Sequence, residues 1–135
     1  MNKLDELKKI LHSKNASLVV QYKSGEIKEY YQDRILDIKD ILSNDGNALN
    51  GAIVADKVIG KVAASVLAVA GVYQIYADVI SNLAIPILEE NNIEYSFFKK
   101  VQFIKNKDNT GMCPMESKFK DEKDINKIYK TILNK

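Results

Sequence analysis

The chain predicts an α/β fold with three layers, α-β-α, in which a mixed sheet carries helices on both faces. Two observations point there. A hairpin pattern near the start is followed by short apolar runs that alternate with segments of helical periodicity. Turn residues separate these segments, with no linker, repeat or low-complexity stretch between them. At 135 residues, 46% apolar and 28% charged, the chain has the size and composition of one ordinary globular domain over 1–135.

The elements follow in order. Leu4, Leu7, Ile10 and Leu11 recur at helical spacing, so 3–13 reads as an amphipathic helix. Ser17 to Tyr22 reads as a strand, Lys23-Ser-Gly25 turns the chain, and Glu26 to Tyr31 returns. Ile35, Leu36, Ile38, Ile41 and Leu42 predict a short helix that ends in Asn44-Asp-Gly46. Asp33 and Arg34 before it read as a surface pair. Ala52 to Ala55 reads as a strand, with Asp56 as N-cap of a helix from Lys57 to about Ala70 and Gly71 as its stop. Tyr73 to Ile80 predicts another strand, Ser81 the cap of a helix ending near Asn91, and Ile93 to Phe98 a further strand that 101–105 extends or follows. Asn106 to Gly111 is a polar turn. Pro114 opens one last amphipathic helix through Met115, Phe119, Ile125, Ile128, Tyr129, Ile132 and Leu133.

Composition narrows the function. A formal charge of +2 with a single arginine, Arg34, gives no basic surface for nucleic acid. The longest mostly apolar run, Val62 to Val72, is too short to span a membrane. One cysteine excludes an internal disulfide and a Cys-rich zinc module, and the charged start is no signal peptide, so a cytoplasmic location is expected.

Two segments hold candidate chemistry. The first is Gly51 to Ala64. On the helix predicted there, Lys57, Gly60, Lys61 and Ala64 share one face at the N-terminal end. Lysine is unfavourable beside the positive end of a helix. Lys57 and Lys61 therefore either build an anion pocket with the helix N–H groups, for which Gly60 leaves room, or extend to solvent and pair with Asp56 and other carboxylates. The stretch is not a P-loop: its glycines are too far apart and no Ser or Thr follows the lysine. The second segment is Gly111-Met-Cys-Pro-Met-Glu116. Cys113 falls at the N-cap before Pro114, where the helix dipole lowers a thiol pKa, and Glu116 fits a capping-box acceptor for the Cys113 N–H. Three readings of Cys113 stand: a reactive thiol, a metal ligand together with Glu116, or a small buried hydrophobe. Ser81 and Asn82 lie where a strand end meets a helix start, a common ligand position in α/β sheets, although Ser81 also serves as a plain cap.

The segments Ala55-Asp-Lys-Val-Ile-Gly-Lys-Val-Ala-Ala64, Tyr76-Ala-Asp-Val-Ile-Ser81 and Thr110-Gly-Met-Cys-Pro-Met-Glu116 resemble an uncharacterised bacterial family, a domain of unknown function whose fold is similar to that of cytidine deaminases. The resemblance covers roughly Ala16 to Glu116 and implies a cytidine deaminase-like sheet, with no established activity to carry over. Zinc deaminases open one helix with His-or-Cys, Ala, Glu and the next with Pro-Cys-x-x-Cys. Here those places hold Ala55-Asp56-Lys57 and Ile80-Ser81-Asn82-Leu83-Ala84, without histidine or cysteine, so neither zinc nor another cofactor is implied. The comparison places Lys57 at or beside the catalytic glutamate.

Three functions follow as expectations. The first is a metal-free pocket for an anionic or nucleotide-like small molecule, lined by Asp56, Gly60, Lys61, Ser81, Asn82 and Glu116 with Lys57 and Cys113. The second is a cysteine enzyme or redox protein, with Cys113 activated near Lys57. The third is an assembly role as a homo-oligomer, because the alanine-rich helix after Lys61 carries too few charges for a solvent-exposed surface.

Overall fold

A computed structural model describes residues 3–32, 35–106, 108 and 110–134. Asp33 and Arg34, read above as a surface pair, lie outside the described residues, as do Lys107 and Asn109 of the polar turn. Helix α1 (Lys3–Ser13) precedes the hairpin β1 (Leu18–Gln21) and β2 (Ile27–Tyr30), and α2 (Leu36–Asn44) follows. Then come β3 (Ile53–Ile59), α3 (Lys61–Ala70), β4 (Gln74–Ser81), α4 (Ile85–Glu90), β5 (Glu94–Val101), α5 (Pro114–Lys118) and α6 (Ile125–Leu133).

The strands form one five-stranded mixed sheet in the order β2-β1-β3-β4-β5. β1 is antiparallel to both of its neighbours, whereas β3, β4 and β5 run parallel. Alternation along the strands feeds two cores. Val19, Ala55 and Tyr76 pack against Leu4, Leu7 and Leu11 of α1. Leu18, Val20, Val54, Ile75 and Ala77 point the other way, into a larger core with Leu42 of α2, Leu67 of α3, Leu88 of α4 and Ile128 of α6. The fold is thus an α/β sheet with helices on both faces, as the sequence predicts. Two parallel steps in one direction, β3 to β4 to β5, put both connecting helices on one side. Leu67, Ile75, Ile80 and Leu88 are fully buried, each worth about 1.5–3 kcal/mol in apolar transfer. Among the described residues, no helix is long and apolar enough to cross a membrane.

Three boundaries differ from the sequence reading. β3 runs on through Asp56, Lys57, Val58 and Ile59, and α3 starts only at Lys61, with Gly60 as its N-cap. Pairing decides this: Asp56 sits between Leu18 and Ala77, and Val58 and Ile59 lie opposite Val79 and Ile80. Ser81 closes β4 and does not cap α4, whose N-cap is Ala84; the Ser81 Oγ accepts the Leu83 N–H at 3.0 Å and holds the intervening turn. The last predicted helix is two helices, α6 opening on its own N-cap at Asp124, which accepts the Asn126 N–H at 2.9 Å. Gly71 ends α3 as expected, with φ +84° in the left-handed region.

Candidate functional site

A cavity of about 110 Å³ opens where β3 hands over to α3, at the carboxyl end of the first parallel strand. Asp56, Val58 and Gly60 border it from the β3 side, Ile104, Cys113 and Glu116 from the late segment. It has room for several waters or a small organic fragment. A second recess lies beside the hairpin, is far more open, and is rimmed by the exposed charges of Lys23, Glu26, Lys28, Asp40 and Asp45.

Asp56 is the unusual group. Strand alternation puts it on the same side as Val54 and Val58, facing the larger core. Burial raises its pKa to about 8. The nearby carboxyls of Asp37 and Asp78 push it in the same direction, and the backbone N–H groups of Val58 and Lys57 oppose them. The Val58 N–H reaches its Oδ1 only at 3.3 Å.

Glu116 is buried on α5 and ties three parts of the site together. One carboxyl oxygen accepts the Lys61 N–H at 2.6 Å, and the other accepts the Ile104 N–H at 2.8 Å. The sequence reading sends Glu116 back to the Cys113 N–H. Instead, that N–H donates to the Ile104 carbonyl at 2.7 Å, and Glu116 satisfies the first turn of α3, 55 residues upstream. Gly60 is necessary for this approach: a Cβ there would stand 2.8 Å from the Glu116 Oε1 and 2.9 Å from the Ile104 Cγ1. Cys113 is the N-cap of α5 and is buried at the cavity wall.

The structure therefore gathers Asp56, Gly60, Cys113 and Glu116 around one cavity, but not the other candidates. Lys57 lies on β3, not on a helix turn, and its Nζ donates to Asn15 Oδ1 at 2.7 Å beside the end of α1. The face shared by Lys57, Gly60, Lys61 and Ala64 does not exist, because β3 continues to Ile59. Lys61 is buried in the first turn of α3, and its Nζ donates to the Lys120 carbonyl at 2.8 Å. Ser81 ends β4 and Asn82 follows it, and neither is among the cavity's lining residues. Sequence reasoning missed Val58 and Ile104 as walls. Its signal for Asp56 was available: a carboxyl in the apolar row Ala52, Val54, Asp56, Val58. Among the described residues, no group of three or more His, Cys, Asp or Glu side chains is gathered as a metal site.

The chain is similar over 99% of its length to a solved protein of Thermotoga maritima, the DUF1893 family protein TM1506, of which it covers 91%, at 30% identity and a TM-score of 0.87. No curated protein matches. The family model for TM1506, a domain of unknown function (DUF1893), matches residues 6–135, and the chain belongs to that family.

Proposed function

We propose that the chain binds a small molecule in the Asp56 cavity and that the ligand meets the Asp56 carboxyl. One observation carries this reading: Asp56 is withdrawn from water in a largely apolar recess, with its pKa raised to about 8 by burial. An ionisable group held this way costs stability, and such groups concentrate where proteins bind or react. Below pH 8 the carboxyl is largely protonated, so it donates one hydrogen bond and accepts another. A ligand edge with one donor and one acceptor, as on an amide or a nucleobase, satisfies it fully. This supports the nucleotide-like part of the sequence expectation. An anionic group would need a cation, and the ammonium groups of Lys57 and Lys61 are engaged with Asn15 and the Lys120 carbonyl. The order hairpin, β3-α3-β4-α4-β5 also supports the deaminase-like reading, in which a ligand sits at the end of β3.

Thermal unfolding in the presence of free nucleobases, nucleosides and inorganic phosphate tests the reading. A nucleobase or nucleoside is expected to raise the midpoint of the native chain by several degrees and to leave Asp56→Ala unmoved. A rise with phosphate alone, or one that persists in Asp56→Ala, would count against it.

A second reading, cysteine chemistry, rests on Cys113 and Asp56 bordering one cavity. On this reading the alkylation rate of Cys113 follows the ionisation of Asp56, and Asp56→Asn shifts its pH profile. An unchanged profile would remove the coupling.

A further inference from the structure

The sequence reading assigns assembly to the alanine-rich helix, but α3 is covered by its own chain: Ala64, Ser65, Val66 and Leu67 are buried, and α6 and α4 pack on it. The open surface is at the other end of the sheet. β5 is the last strand in the order, and among the described residues no strand pairs with its outer edge. It is also the least protected strand. Glu94, Ser96, Lys99 and Lys100 are exposed, as are Phe97 at 39% and Phe98 at 80%. An exposed edge strand with two outward aromatics is a ready template for another strand.

The sequence of β5 selects the partner. Tyr95, Phe97 and Lys99 lie opposite Ile75, Ala77 and Val79, on the helix-rich face, and Tyr95 stacks on Phe97 at 6.4 Å. Glu94, Ser96, Phe98 and Lys100 alternate onto the face that carries α1. A second copy added antiparallel about a two-fold axis normal to the sheet keeps each face continuous and can centre only on a residue. Centring on Phe97 places Glu94 opposite the second copy's Lys100, and Lys100 opposite its Glu94. It also places Phe97 against itself and Tyr95 beside the second copy's Lys99. Centring on Ser96 or Phe98 loses both ion pairs. Opposite charges and aromatic pairs that face each other across strands each stabilise the pairing. We propose that two copies of this chain pair through β5, antiparallel and centred on Phe97, to form one ten-stranded sheet. Such a contact is isologous, as closed dimers require.

The test is the mass of the native chain in solution by sedimentation or light scattering, with variants of exposed residues whose folding circular dichroism verifies. The native chain is expected to be a dimer at high micromolar concentration, and Phe97→Asp, which sets two carboxylates face to face on the axis, a monomer. Glu94→Lys and Lys100→Glu are each expected to weaken the dimer at least tenfold, and the two together to restore it. Phe97→Cys is expected to cross-link on mild oxidation, because paired Cα atoms about 4.5–5.5 Å apart suit a disulfide, while Phe98→Cys does not. A monomeric native chain, a dimer indifferent to Phe97→Asp, a charge swap that fails to restore it, or cross-linking at position 98 instead would each overturn the proposal.

Discussion

Asp56→Asn is expected to stabilise the protein at neutral pH and to flatten its stability between about pH 4 and pH 8. The carboxyl ionises near 3.8 when unfolded and near 8 when folded. Below that window both states hold the proton and Asp56 imposes no ionisation cost. Within it, folding must take up a proton, so stability falls as pH rises through the folded pKa. At about 1.4 kcal/mol per unit, the loss across the window is on the order of 5 kcal/mol as an upper bound. Asparagine preserves the shape and can still accept the Val58 N–H, but it has no charge to bury. At pH 7 the variant should gain about 2–4 kcal/mol, or roughly 10 °C in Tm. The substitution leaves the other ionisable side chains in place, so the difference between two urea titrations over pH isolates Asp56. If the two pH slopes coincide, Asp56 ionises normally and the argument for its role in the cavity fails. If the variant is more stable but loses ligand-induced stabilisation, the cavity trades stability for binding.

Glu116→Ala should be among the most damaging single changes outside the apolar core, costing about 3–5 kcal/mol in denaturant unfolding. It leaves two buried backbone donors without their acceptor, the N–H groups of Lys61 and Ile104. Glu116→Gln keeps one acceptor but turns an amide NH₂ toward the other donor, for a loss of about 1–3 kcal/mol. Gly60→Ala should cost about 2 kcal/mol, because its methyl would press on the Glu116 Oε1 and the Ile104 Cγ1, and that oxygen is held by a hydrogen bond and cannot swing aside. The decisive comparison is the pair together. In the Glu116→Ala background, much of the Gly60→Ala cost should disappear, with a coupling of about 1 kcal/mol. Strict additivity would place the cost on the Ile104 Cγ1 contact and not on Glu116.

The layers were legible in local pattern alone. Leu4, Leu7 and Leu11 mark α1, short apolar runs mark β1 and β4, and Gly71 marks the end of α3; in each, the local pattern or a glycine conformation agrees with the tertiary contacts. The candidate residues Asp56, Gly60, Cys113 and Glu116 do come together at one cavity. The directions of the candidate groups depend on tertiary contacts instead. Asp56-Lys57 looks like a helix start because Asp caps helices, but cross-strand pairing with Leu18 and Ala77 holds it in β3. That change of period, from 3.6 to 2, sends Asp56 into the cavity and Lys57 to the opposite face. Glu116 looks like a local capping residue because its spacing from Cys113 is right. Its acceptor role is settled by α3, which lies 55 residues away in sequence and beside it in space.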